Sequence, residues 1–261
     1  MMNPLLVDAG VDEKRVREGV DSLVERGFAI VEGSLSPQQC DVASQLLDDL
    51  VTSGQAQEFG GPAGFGFGIH PLLTKENRLA DFYADPLVIA IMEKLFNDDA
   101  HLVHTGARLS DATHTPRIGW HHHRYNDAQS QVNSGPDARG DYPTRVLAAW
   151  YVEGCTLESG PLVALPRRYD DLIAPPFDEY DKKWPGEVDV ICPPGSCVIF
   201  TNDLWHSAKA GTDGKRRHLF GAHFQGWNNP RAHGEDHVHE GREVEAAYKR
   251  NPLFAHIMKP R

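Results

Sequence analysis

The feature that most constrains this chain is a change of hydrophobic period near residue 100. Before it, apolar residues recur at helical spacing. Val16, Val20, Leu23 and Val24 lie on one helix face, and Gly27 is placed to end that helix. Phe28-Ala29-Ile30-Val31 predicts a short strand. Ser36-Pro37-Gln38-Gln39 predicts a helix start with its cap, a first-position proline and a capping box. Val42, Leu46, Leu47, Leu50 and Val51 form that helix's apolar stripe, and Gly54 is placed to end it. A further helix is predicted over about 76–97, with Leu79, Phe82, Leu87, Ile91 and Leu95 buried. From residue 102 the pattern shortens. Leu102–Thr105, Arg145–Val152, Pro161–Leu165, Val188–Cys192, Cys197–Thr201 and Arg217–Phe224 are brief apolar runs bounded by Gly, Pro, Asn or Asp. This is the spacing of a sandwich or barrel.

The expected organisation is one domain over 1–261: a helical part at about 1–97, a β core at about 100–226 and a polar tail at 229–261. The tail carries one helix over about 240–249. Residues 57–71 hold five glycines among aromatics, which predicts an irregular segment, either a plain connector or a flap over a pocket.

Composition removes several classes of function. The 26 Lys and Arg against 37 Asp and Glu give a net charge of −11, which offers nucleic-acid phosphates no overall attraction. No apolar run is long enough to span a membrane, and the start Met1–Asp8 lacks the pattern of a secretion signal. Four cysteines are too few for a disulfide scaffold and are expected as reduced thiols in a cytoplasmic protein. Oligomeric state is not readable.

The unusual number is 14 His. In Ile118-Gly119-Trp120-His121-His122-His123-Arg124-Tyr125, an extended backbone turns His121 and His123 to one side and His122 to the other. Two imidazoles so spaced can grip one metal ion. A turn at Pro193-Pro194-Gly195-Ser196 leads through a buried strand to an exit loop ending in a third imidazole, His206. Lys215-Arg216-Arg217-His218 begins the next strand with a guanidinium.

Together these segments resemble the phytanoyl-CoA dioxygenase family of non-haem iron, 2-oxoglutarate-dependent oxygenases. Trp120-His121-His122-His123 resembles the family's W-H-x-D motif, His206 its distal histidine, and Arg217, eleven residues on, its co-substrate arginine. Glu158-Ser159-Gly160-Pro161-Leu162 looks like its E-N-G-P-L turn, Leu165-Pro166 like the start of its P-G-S-H segment, and Gly27–Val31 with Leu35-Ser36-Pro37 like its N-terminal strand and helix. The resemblance spans about residues 20–225. It implies a double-stranded β-helix, a cupin-like jelly roll with helices packed outside. It also implies Fe(II), 2-oxoglutarate and O₂ acting on a small-molecule substrate, most simply by hydroxylation. The implied ligands are His121, His123 and His206, with Arg217 on the far carboxylate of 2-oxoglutarate. Arg216 is the competitor for that role, and alternation along a strand lets only one of the two point inward.

The family's carboxylate is absent, since residue 123 is His, and Arg167-Arg168 replaces Ser-His in the later segment. Three neutral imidazoles leave Fe(II) with both positive charges. Three readings follow. The chain is an atypical 2-oxoglutarate oxygenase, a three-His zinc-type hydrolase or lyase, or a jelly-roll binding or regulatory protein without catalysis. Trp120, Tyr125 and Trp205 flank the ligands, as substrate-cavity walls or as ordinary core. Arg108 lies on the strand before the ligands, as a co-substrate contact or as half of a salt bridge. Arg167-Arg168 and Lys182-Lys183 read as a solvated basic face or as receivers of an anionic substrate, and His233–His239 as exposed loop or an adventitious metal binder.

Overall fold

A computed structural model of the chain describes residues 2–58, 66–110, 118–123, 145–169, 171, 175–229 and 242–259. The helical part forms where its caps direct. After α1 (Pro4–Asp8), the Asp12 side chain accepts from the Lys14 N–H to start α2 (Glu13–Arg26). Gly27 ends it at φ +80, donating its N–H to the Leu23 carbonyl at 3.0 Å, in a left-handed conformation that a side chain would strain. β1 (Phe28–Val31) follows. Ser36 and Gln39 exchange both capping-box hydrogen bonds at the head of α3 (Pro37–Thr52).

Two expectations are corrected here. The segment over 57–71 is not wholly irregular, because its ends form β2 (Gln57–Glu58) and β3 (Phe67–Ile69), which pair with each other. A flap at 59–65 lies outside the described residues. The helix expected over 76–97 is broken. After α4 (Leu72–Lys75), a 3₁₀ helix runs Asn77–Tyr83, and α5 spans Pro86–Phe96. Asp85 caps α5 by accepting from the Val88 N–H at 2.8 Å, and Pro86 supplies no N–H to continue the earlier turn.

The β core consists of β4 (Ala100–Ser110), β5 (Ile118–His121), β6 (Arg145–Tyr151), β7 (Leu162–Ala164), β8 (Val188–Val190), β9 (Ser196–Thr201), β10 (His206–Ala208) and β11 (Arg217–Gly226). The larger sheet has the order β1-β9-β6-β11-β4-β3-β2 and the smaller β5-β10-β7-β8. Strand pairing is antiparallel throughout the described ladders. The chain is a jelly roll, as the sequence resemblance implies, and among the described residues the strands form two sheets and no closed barrel.

Alternation sorts the larger sheet's two faces. Val146, Ala148, Trp150, Ile199, Phe220, Ala222 and Phe224 join the helices in one core. Trp150 is its anchor, stacked on Phe220 at 5.4 Å and met edge-on by Tyr83. Truncating a tryptophan so enclosed costs about 3–5 kcal/mol. The opposite face contributes Phe28, Ala149, Tyr151, Val198 and Phe200 to a second core shared with Leu162, Ala164 and Val190 of the smaller sheet. The site lies on this inner face.

The tail holds α6 (Arg242–Arg250), near the expected helix, and then α7 (Pro252–Ile257). It is less polar in its packing than its composition suggests: Val244, Ala247, Leu253, Phe254 and Ile257 are buried in the helical core. Among the described residues, no helix is long and apolar enough to cross a membrane.

Candidate metal centre

Strand register brings the first two imidazoles together. β10 runs antiparallel to β5 with His206 directly opposite His121, and the ring centroids are 4.2 Å apart. β5 ends at His121, yet the next two residues keep its alternation. The backbone N–H of His123 donates to the Asn202 carbonyl at 2.8 Å. This holds the ring of His123 5.4 Å from that of His121 and 4.8 Å from that of His206. One ligating atom of each residue lies within 4.8 Å of the other two. His122 turns the opposite way and meets the ring of Trp205 edge-on at 4.5 Å.

Two backbone carbonyls set the tautomers. Nδ1 of His121 lies 2.8 Å from the Gly119 oxygen, and Nδ1 of His206 lies 2.9 Å from the Leu204 oxygen. A carbonyl only accepts, so each Nδ1 carries the proton and each Nε2 keeps its lone pair for a metal. Burial is the largest influence on all three rings and pushes their pKa values down. For His121 the charge of Arg108 adds to it, against the Gly119 hydrogen bond; for His123 and His206 the neighbouring imidazoles add to it. The rings are therefore neutral, the form that binds a cation.

The two candidate arginines face opposite ways. Arg216 pairs with Asp48 of α3 on the helical side. Arg217 points between the sheets, where its Nη1 donates to the Gly160 carbonyl and its guanidinium lies 5.9 Å from the Tyr151 ring. Its Nε is buried and has no hydrogen-bond partner among the described residues. Arg108 sits opposite Leu219 in the β4–β11 ladder, on the same inner face, and burial lowers its pKa.

Other sequence candidates are placed elsewhere. Trp120 stacks on Trp184 at 4.5 Å, and its indole N–H donates to the Lys182 carbonyl at 2.8 Å. Trp205 packs into the same cluster. Trp120 immediately precedes His121, so alternation turns it to the other side of the strand from the metal-binding rings. Tyr125 and His233–His239 lie outside the described residues. Arg168 pairs with Glu25 and Lys182 with Glu179, as solvated surface groups do. A second His and carboxylate group, Glu93, Asp99 and His256, is an ion-pair cluster: His256 bonds Glu93 at 2.6 Å, and Lys259 already neutralises Asp99.

Sequence reasoning missed four inner-face residues. His223 lies 5.4 Å from His123, His104 lies 6.1 Å from His223, and His70 stacks on His104 at 5.4 Å. Arg145, buried at the start of β6, is the fourth. The signal was present as parity: His223 shares a strand face with Arg217, and His104 with Arg108.

The family model for phytanoyl-CoA dioxygenase (PhyH) matches residues 23–219, from α2 into β11, and encloses all three imidazoles and Arg217. The chain belongs to the phytanoyl-CoA dioxygenase family. It is thus a non-haem iron, 2-oxoglutarate-dependent dioxygenase. No curated protein sequence matches it. Solved structures share the PhyH fold at low identity. SnoN from nogalamycin biosynthesis, a non-haem alpha-ketoglutarate-dependent epimerase, is 15% identical with a TM-score of 0.67, over 82% of this chain and 84% of its own. HygX from Streptomyces hygroscopicus, solved with nickel and 2-oxoglutarate, is 14% identical with a TM-score of 0.65, over 82% and 89%. EctD from S. alaskensis, solved with 2-oxoglutarate and 5-hydroxyectoine, is 14% identical with a TM-score of 0.64, over 88% and 84%.

Proposed function

We propose that this chain hydroxylates a small molecule, with Fe(II) on His121, His123 and His206 and the far carboxylate of 2-oxoglutarate on Arg217. The observation that carries this reading is the convergence of three neutral imidazoles, two with Nε2 freed by carbonyl bonds at Nδ1, in the same interior as a half-buried guanidinium. Three nitrogen donors leave positions open for co-substrate and O₂. When bound, the iron supplies the oxidation itself, in which 2-oxoglutarate and O₂ yield succinate, CO₂ and one oxygen atom inserted into a substrate C–H bond.

The chain's own groups bind and orient. Gly119 and Leu204 fix the ring planes through their carbonyls. The Gly160 carbonyl holds one arm of Arg217 and so aims the unpartnered Nε–H at an incoming carboxylate. Phe200, 4.9 Å from the His206 ring and 6.2 Å from that of His123, keeps water from one side of the centre. The three imidazoles carry no charge to offset a divalent ion, so a dianionic co-substrate would supply the balance.

The test is succinate release from 2-oxoglutarate by the Fe(II)-loaded protein without added substrate. Slow, iron-dependent release is expected, lost in His206→Ala. Arg217→Ala is expected to raise the 2-oxoglutarate KM about tenfold or more. Undiminished release by His206→Ala would overturn the reading.

A further inference from the structure

We propose that Cys155 and Cys192 form a modification site, a thiol pair that peroxide closes into a disulfide, loosening the hold on Arg217. The disulfide stands on strand geometry alone. Its effect on the co-substrate rests on the oxygenase reading above.

The two cysteines face each other across an antiparallel bridge, both as free thiols. The Cys155 N–H donates to the Cys192 carbonyl at 2.8 Å, and the Cys192 N–H donates back to the Cys155 carbonyl at 3.1 Å. A pair that exchanges both bonds has its Cα atoms about 5.5 Å apart and its side chains on one side of the ladder. Disulfides span Cα separations of about 4.4–6.8 Å. Both side chains are buried in the core between the two sheets. Gly154 keeps the segments in register. At φ +75 it packs so closely that a Cβ would stand 2.7 Å from the Cys192 carbonyl oxygen and 2.6 Å from the Pro194 nitrogen. The other two cysteines are placed apart from this pair: Cys197 and Cys40 both belong to the helical core, on the opposite face of the larger sheet.

The pair touches the proposed co-substrate arginine. Arg217 Nη1 lies 4.0 Å from the Cys155 sulfur, and the Ser159 hydroxyl 3.8 Å from it. Burial, and then the neighbouring Cys155, push the Cys192 thiol up to about 12, so it stays protonated. Oxidation therefore starts at Cys155. Hydrogen peroxide passes one oxygen to that sulfur, its O–O bond breaks, and a sulfenic acid and one water result. The Cys192 sulfur then displaces the hydroxyl, which leaves with the Cys192 proton as a second water. Two thiols are oxidised and one peroxide is reduced. Joining the sulfurs draws that of Cys155 away from Nη1, which then keeps only the Gly160 carbonyl among the described residues.

The experiment treats the full chain, freed of iron so that peroxide meets thiols alone, with hydrogen peroxide. Its unreduced peptides are then mapped by mass spectrometry. A Cys155–Cys192 cross-link is expected, undone by a phosphine reductant. Cys192→Ala should give no cross-link and leave Cys155 as a sulfenic acid that dimedone captures. After removal of peroxide and loading with Fe(II), the oxidised wild type should show a 2-oxoglutarate KM about threefold or more above the reduced protein's, restored by the reductant. No cross-link, or one joining other cysteines, would overturn the proposal, as would a KM equal in the two forms. The map is read without iron. A Cys155–Cys192 cross-link in a protein whose reduced, iron-loaded form releases no succinate would support the disulfide and overturn the oxygenase reading.

Discussion

At the scale of single residues, the decisive position is 123, where an imidazole replaces the carboxylate of the W-H-x-D motif. The exchange removes one negative charge from the metal's surroundings without removing a donor atom. Neighbouring His122 has the same chemistry and a different surrounding, with its ring against Trp205. The pair therefore provides an internal control. His123→Ala is expected to lower Fe(II) affinity by about tenfold or more, and His122→Ala to leave it unchanged; equilibrium titration with Fe(II) under nitrogen reads both. The alternation that separates them was visible in the sequence, as was the opposition of Arg216 and Arg217. The same rule, applied along whole strands, reaches His104 and His223. Neither residue belongs to a motif, and only strand pairing shows that they meet. Trp120 and Trp205 illustrate the converse. They sit beside ligands in sequence, but adjacency along a strand means opposite faces, and the two pack with Trp184.

At the scale of elements, β11 joins the helical layer to the site. One of its faces carries Arg217 and His223, and the other carries His218. Burial opposes a charge on His218, but the hydrogen bonds and charges of Glu153 and then Asp48, 2.6 and 3.0 Å away, outweigh it and raise its pKa. Asp48 also holds Arg216. Because the folded-state pKa is raised, this contribution is complete below the ordinary value of about 6.5 and is lost as pH rises through the folded value. His218→Gln should cost about 1–3 kcal/mol at pH 6. The gap between its thermal midpoint and the wild type's should narrow as pH rises; a constant gap would contradict this account. Gly221, central in the same strand, has the Ala148 carbonyl oxygen 2.7 Å from where a Cβ would stand. Backbone cannot yield there as a side chain can, so Gly221→Ala should lose about 1–3 kcal/mol in urea unfolding. The helices and strands were largely legible because their caps and periods are local. The break before α5 was not, although Asp85-Pro86 spells out a cap, because the apolar stripe continues across it and masks the stop.

At the scale of the whole molecule, a chain of net charge −11 encloses an interior of imidazoles and guanidiniums. Acidic groups such as Glu25 and Glu179 pair with Arg168 and Lys182 at the surface, while Arg108, Arg145 and Arg217 bring guanidiniums to the inner sheet face. The fold makes this separation: helices cover one face of the larger sheet, and the smaller sheet shields the other. Sequence reasoning read the tail as polar, but α6 and α7 dock onto the helical layer through Val244, Ala247, Phe254 and Ile257. That docking face is a few residues wide, and the charges around it outweigh it in composition. Taken together, the architecture presents a dianionic co-substrate with a cation on three neutral donors at one point and a guanidinium at another. The most direct test is anaerobic titration of the Fe(II)-loaded protein with 2-oxoglutarate, followed in the visible for the metal-to-ligand charge-transfer band of the chelated keto acid. The account predicts a saturable band in the wild type, abolished in His206→Ala and displaced to higher co-substrate concentration in Arg217→Ala. Iron that binds without producing a band would contradict it.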